Sequence, residues 1–306
     1  MEGYLYLVIG IVILIIILLI LKYKSKSKSS CVICLCARDV EPYLDNIFIN
    51  LQKLNTLFYK TQVIFFYDTS NDNTLDTLRR YQDTLDNIHI IENKEPLLEY
   101  RTHRISNGRN RLLDYMNTNF NDYEYFIIMD CDDVCSNPIK TDVLAEYLDR
   151  NDWDSLSFNR KGNSSIDSGH YYDIWALQYE PFYWDCWGYG PNSVKVLEFM
   201  KKDITKKLNK LDDDELFTCI SAFNGFAIYR KDKFKNIRYN GVRKNEISKN
   251  EYSKLKTKLE IIGIYNSKLS NLTSWNTPET CEHIDFHKDA IQYNNAKIKI
   301  SKKNIF

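Results

Sequence analysis

Tyr125-Phe-Ile-Ile-Met129 runs without a charged side chain into Asp130-Cys131-Asp132-Asp133. Five apolar residues stopped by three carboxylates describe a buried strand whose carboxyl end carries charge. Working back toward the N-terminus, Cys31-Val-Ile-Cys-Leu-Cys-Ala37, Gln62-Val-Ile-Phe-Phe-Tyr67 and the short run 88–91 have the same character. Between them apolar residues recur at helical spacing: Tyr43, Leu44, Ile47, Phe48, Leu51, Leu54 and Leu57 after Pro42, then Leu75, Leu78, Tyr81 and Leu85, then Ile105, Leu112, Leu113 and Met116. Strand and helix in strict alternation predict an α/β domain, a doubly wound and mostly parallel sheet with flanking helices. In such sheets ligands gather at the carboxyl ends of the strands. Beyond residue 140 the pattern loosens: helices are expected over 142–150 and 193–202, strands over 154–158 and 223–230, and irregular surface over 231–270.

Three adjacent carboxylates repel one another and raise the pKa of at least one of them unless a cation sits among them. Hard oxygen ligands at this spacing suit Mg²⁺ or Mn²⁺, which keep positions open for substrate phosphate oxygens. A solvated turn opening the next helix is the other reading of the triplet.

The order of four motifs resembles the GT-A fold glycosyltransferases, enzymes that move a sugar from a nucleotide sugar to an acceptor. Asp130-Cys-Asp132 is similar to their DxD signature, and Tyr67-Asp-Thr-Ser-Asn-Asp-Asn-Thr74 to their second-strand loop. Arg104-Ile-x-x-x-Arg109-Asn110-x-x-Leu113 resembles a helix of cap59-like mannosyltransferases. Cys281-Glu-His283-Ile-Asp-Phe-His287 is similar to a C-terminal histidine motif of related DxD enzymes, some of them from large DNA viruses. The resemblance implies a hexosyltransferase, with a mannosyltransferase as the narrower case. It assigns Asp132 to the metal that bridges the diphosphate, and Asp130 to the ribose or the metal. Asp39, Asp68, Asp133, Arg104, Arg109 and Asn110 fall on the nucleotide-sugar side. His283 completes the metal shell, with His287 as the alternative four residues on. The chemistry of those ligands is compatible with the roles, since a cation neutralises charge growing on the leaving diphosphate and imidazole suits Mn²⁺.

The stretch from His170 to Pro191 holds nine aromatics in 22 residues. Sugar rings stack their C–H faces on such planes, so Trp184 and Trp187 are read as acceptor contacts. Asp185, inside Trp-Asp-Cys-Trp, is read as a catalytic base or acceptor contact. Ser221 to Arg230 resembles the glycine-containing segment at the donor–acceptor junction of the fold, which places Asn224 and Gly225 beside the acceptor; a bulge in a strand is the plainer reading of that glycine.

The whole chain has 306 residues with 41 basic and 41 acidic side chains. That balance excludes a nucleic-acid binder, and the aromatic content excludes disorder. The neutrality is uneven: four lysines against Glu2 give residues 1–30 a net +3 and leave −3 for the remainder. Residues 4–21 form an apolar run of a length that spans roughly 27 Å as a helix, the reach of a membrane span. The reading is therefore a tail (1–3), a transmembrane helix (4–21), a basic stem (22–30) and a glycosyltransferase-like domain (31–306), divided into a nucleotide-sugar half (31–135) and an acceptor half (136–306). A single-pass membrane protein follows, with the lipid bilayer, a nucleotide-sugar donor and a glycan, glycoprotein or glycolipid as partners. The lysines favour a cytoplasmic domain; the sequons at Asn163 and Asn271 and the analogy with secretory-pathway enzymes favour a lumenal one. The alternatives are a membrane-anchored carbohydrate-binding protein without catalysis and a metal-dependent nucleotidyltransferase.

Overall fold

Cys31, Val32, Ile33, Cys34 and Leu35 have no exposed surface, so β1 (Ser30–Ala37) must lie inside a sheet covered on both faces. The computed structural model describes residues 29–160, 171–189, 192–243, 248–263 and 278–306. In it β1 pairs in parallel with β2 (Lys60–Tyr67) on one side and with β4 (Tyr125–Met129) on the other. β3 (Ile88–Glu92) extends the sheet beyond β2, also in parallel. On the far side of β4 come β7 (Phe226–Arg230), β5 (Ser155–Phe158), β8 (Ile298–Ser301) and β6 (Leu216–Thr218), giving the order β3-β2-β1-β4-β7-β5-β8-β6. β7 runs antiparallel to both β4 and β5, and β6 antiparallel to β8. The sheet is thus mixed: its first half is parallel as expected, and in the second half only β5 and β8 run parallel.

Alternate residues of the strands feed two cores. α3 (Arg101–Asn119) lays Leu112, Leu113 and Met116 against the face that carries Val32, Cys34, Ile64 and Phe126. α1 (Glu41–Asn55), α2 (Thr74–Gln82) and α4 (Thr141–Leu148) cover the opposite face, where Leu44, Phe48, Leu78 and Leu144 meet Cys31, Ile33 and Ile127. Each large apolar side chain buried this way contributes about 1.5–3 kcal/mol. α3 lies unusually close to β2 because Gly108 has no side chain: a Cβ there would stand 2.6 Å from the Phe66 ring. Glu279, far along the chain, caps the start of α3 by accepting from the Thr102 N–H at 3.0 Å.

Several expectations are corrected. Among the described residues no helix is long and apolar enough to cross a membrane. The longest, α3, has 19 residues and contains Arg101, Arg104, Arg109 and Arg111. On that finding the placement as a single-pass membrane protein is withdrawn. The run 4–21, most of the stem and both sequon asparagines lie outside the described residues, and Ser30 belongs to β1 rather than to a stem. The segment 231–270 is not irregular throughout: it holds α6 (Lys249–Ile261), begun by a capping box between Ser248 and Glu251. α5 (Ser193–Asn209) continues seven residues past its expected end because Ile204 and Leu208 stay on its buried face. α7 (Glu282–Asn294) carries the histidine motif.

Candidate active site

The chain leaves β1 toward β2 and β3 on one side and returns to β4 on the other, so the strand order reverses between β1 and β4. A crevice must open at their carboxyl ends. There a cavity of about 250 Å³ is lined by Cys36, Arg38, Asp68, Arg104, Asp130 and Asp132, among others. Asp68 is buried and accepts from the Thr69 N–H at 3.1 Å and from Asn93 Nδ2 at 2.9 Å. Arg104 lines the cavity with its guanidinium tethered to the Leu98 and Glu99 carbonyls at 2.7 and 2.9 Å. Asp39 does not line it. Held at φ 52°, Asp39 accepts from the Asn71 N–H at 2.6 Å and ties the end of β1 to the loop after β2. Asn110 is also turned away, because both ends of its amide are spent at 2.9 Å on the Tyr239 backbone.

The acidic pair sits where β4 ends. The Asp130 backbone N–H donates to the Gly225 carbonyl at 2.9 Å, and Asp132 Oδ1 accepts from the Val134 N–H at 3.0 Å. Asp133 is exposed and lines neither this cavity nor the one beside it. Burial, then the charge of Asp132, pushes the Asp130 carboxyl up to about 8 against the pull of Arg109, although 31% of its side chain meets solvent. Burial raises Asp132 as well. Burial is the first cause in both, so the pair is poorly solvated even though Arg38, Arg101, Arg104 and Arg109 line the same cavity. Among the described residues no three His, Cys, Asp or Glu converge as a metal cage. Two carboxylates nonetheless suit Mg²⁺ or Mn²⁺, which fill their remaining positions with phosphate oxygens and water.

A pH dependence follows. Asp130 holds its proton in the folded chain up to about pH 8 and loses it near pH 4 when unfolded, so stability falls as pH rises across that window. Without divalent metal, Asp130→Asn is expected to raise Tm relative to the wild type by an amount that grows from pH 4 to 8 and then levels off. A difference independent of pH, read by thermal melts in EDTA, contradicts this.

Arg109 joins the acidic pair to the histidine motif. Its Nη2 donates to Asp130 Oδ1 at 3.2 Å, while Nη1 contacts Glu282 and His283. The guanidinium lies 4.8 Å from the Phe223 ring centroid. His283 stacks on Phe223 at 3.9 Å, and burial holds it neutral, well below the usual histidine range. Its Nε2 faces Arg109 rather than a free position beside the carboxylates. His287 is removed from the site: its ring nitrogens meet Ser221 Oγ at 2.9 Å and Tyr229 Oη at 3.3 Å, and burial pushes it down to about 3.

A second cavity of about 360 Å³ adjoins the first and shares Arg101, Ile105, Arg109, Asp130 and Asp132 with it. Tyr172, Asp173, Trp175 and Trp187 form its other wall. Trp187 lines this cavity, and Trp184 does not. Trp184 is buried under Gly188, whose hydrogen stands in for a Cβ that would clash with the indole. Asp185 is displaced too: it accepts from the Trp187 N–H at 2.8 Å, Trp175 Nε1 at 3.0 Å, Thr280 Oγ1 at 3.0 Å and Arg243 Nη2 at 3.3 Å. A buried carboxylate so engaged is a structural joint, and it lines a different cavity. Asn224 donates to the Phe158 carbonyl at 2.8 Å and accepts from the Asp173 N–H at 2.9 Å, so its amide is spent internally. Gly225, at φ 87°, is required for a different reason than contact with an acceptor. A Cβ would stand 2.3 Å from Val134 Cγ1, and the Gly225 carbonyl holds the Asp130 backbone.

Asp173, Arg101, Tyr172 and Glu282 were not singled out in the sequence. Asp173 sits in the aromatic stretch twelve residues before Asp185, and only side-chain direction separates the two. Its Oδ1 accepts from the Ala176 N–H at 3.1 Å, and burial pushes its carboxyl up.

A mixed α/β sheet with an acidic pair at its switch point, faced by arginines from α3, is a GT-A-like fold. The chain belongs to glycosyl transferase family 2, which matches residues 30–238. The sequence matches no curated protein. Among solved structures, S. aureus TarS 1-349 in complex with UDP is 16% identical, over 90% of this chain and 58% of that chain, with a TM-score of 0.46. Mannosyltransferase PcManGT from Pyrobaculum calidifontis, in complex with GDP-Man and Mn²⁺, is 16% identical over 69% of this chain and 47% of that one, with a TM-score of 0.36. Glucosyl-3-phosphoglycerate synthase from Mycobacterium tuberculosis, in complex with UDP, is 10% identical over 79% and 83%, with a TM-score of 0.41. The chain covers 35% of the longer TarS structure.

Proposed function

We propose that the protein transfers a hexose from a nucleoside-diphosphate sugar to a hydroxyl of a glycan, glycoprotein or glycolipid, assisted by Mn²⁺ or Mg²⁺. One observation carries this reading: the two cavities share Asp130, Asp132, Arg101 and Arg109, so a donor in one meets an acceptor in the other at the acidic pair. Residues 36–132 line the donor cavity, whereas the acceptor cavity draws on residues 101–134 and on residues 172–283.

Asp130 and Asp132 would hold the cation, which would supply positive charge to the leaving diphosphate. Asp68 receives the nucleoside end of the donor, and Arg101 and Arg104 face its phosphates from the first turn of α3. Tyr172 and Trp187 offer planes to the acceptor sugar. Asp173 takes the proton of the attacking hydroxyl as the new C–O bond forms and the diphosphate departs with the electron pair of the old one. The raised basicity of Asp173 suits it to that task, and its backbone bond to Asn224 fixes its place.

The test is a screen of nucleotide sugars for hydrolysis or transfer in Mn²⁺ and in EDTA. GDP-mannose is the first donor to try, because the Arg104–Leu113 segment resembles the mannosyltransferase helix. At least one donor is expected to turn over only with metal. Turnover unchanged in EDTA contradicts the metal, and pyrophosphate release from a nucleoside triphosphate contradicts the reaction class.

A further inference from the structure

Arg109 is the centre of a buried arrangement that the proposed reaction does not itself require. Its side chain and that of Glu282 are 5% and 6% exposed, and the two form a direct ion pair across the start of α7. A guanidinium presents a rigid fork that pairs with a carboxylate through two parallel bonds when nothing competes. Here the fork is divided. Nη1 is committed to Glu282 and to neutral His283, and Nη2 reaches Oδ1 of Asp130 at 3.2 Å. Phe223 and Tyr239, with ring centroids 4.8 and 5.5 Å from the guanidinium, fix its plane.

We propose that Glu282 is a positioning residue that holds Arg109 away from a two-bond clamp on Asp130 and so keeps the acidic pair open to a divalent cation. The inference rests on the reading of Asp130 and Asp132 as the cation ligands. His283 supplies an acceptor without charge, so it cannot replace Glu282 in this competition. With Glu282 shortened or neutralised, the freed Nη1 turns to the nearest remaining carboxyl, Asp130, and holds it in its ionised form. The internal cation then occupies the place of the external one.

The experiment is Mn²⁺ binding to the full chain without nucleotide, followed by the electron paramagnetic resonance of free Mn²⁺. Four proteins are compared: wild type, Glu282→Gln, Glu282→Asp and the double variant Arg109→Met/Glu282→Met. Glu282→Gln and Glu282→Asp are each expected to weaken binding by about tenfold or more, the scale of one nearby charge contact. The double variant removes competitor and restraint together and is expected to bind at least as tightly as wild type. Exchange of a buried ion pair for apolar side chains of similar size is commonly tolerated, and a thermal melt confirms that each variant is folded. Wild-type affinity in Glu282→Asp overturns the proposal, because charge alone then suffices. A double variant as weak as Glu282→Gln also overturns it, because Arg109 is then not the competitor. Equal Mn²⁺ binding by all four defeats this inference alone, whereas no binding by the wild type defeats the metal reading and this inference with it.

Discussion

Asp132→Asn is expected to lower sugar transfer by about 10³-fold, close to 4 kcal/mol of transition-state stabilisation. Charge grows on the leaving diphosphate as the glycosyl bond breaks, and the cavity is desolvated enough to push both carboxyls upward. An amide in place of Asp132 keeps the volume and the Val134 contact but removes the anion that anchors a cation. The loss falls on kcat, and added metal does not restore it. Asp133→Asn, one residue along and exposed outside both cavities, is expected to stay within about threefold of wild type. Steady-state kinetics over a range of Mn²⁺ concentrations decides the matter: transfer surviving Asp132→Asn with an unchanged metal requirement overturns the mechanism.

Asp173→Asn is expected to cost about 10²–10⁴-fold in transfer to an acceptor, the usual contribution of a positioned general base. The donor KM should change little, because Asp173 lines only the acceptor cavity. A second signature lies in the pH profile. The wild-type rate falls as pH drops through the raised pKa of Asp173, since the protonated carboxyl cannot accept the hydroxyl proton. The asparagine variant should lose that limb. Asp185→Asn offers the contrast: with four donors on its carboxylate, it should lower Tm rather than reshape the pH profile. A profile that keeps its acid limb in Asp173→Asn removes Asp173 from the chemistry.

The first half of the fold was legible because β1 and β4 are buried along nearly their whole length and so read as unbroken apolar runs. The Asp-x-Asp cluster was legible for a related reason: a charged triplet directly after such a run can lie only at the end of the sheet. α6 was missed although its signal was present in Ser248-x-x-Glu251, a capping box inside a lysine-rich stretch that otherwise reads as surface. The antiparallel strands were harder, since three- to five-residue segments carry too little pattern to show their partners or direction.

Site residues divide along the same line. Asp130, Asp132, Asp68, Arg104 and Arg109 all stand at the crevice, on the carboxyl ends of β2 and β4 or on α3, which leads back toward β4. Asp39, just after β1, and Asn110, on α3, are spent on other partners, and a direction that changes within one residue is invisible to spacing. Asp185 and Asp173 part for the same reason and line different cavities. Both are acids in an aromatic stretch, and only packing determines which is saturated by donors.

Alternation of apolar runs and helical periodicities was thus enough, by itself, to set the α/β class and to place an acid cluster at the crevice, because burial and backbone geometry act locally along the chain. The tertiary structure alone decided which charges share that crevice. Arg109 and Glu282 are 173 residues apart and meet because α3 and α7 pack over the end of β4. Their pairing depends on side-chain direction and the loss of solvent between elements, neither of which is written in any single segment.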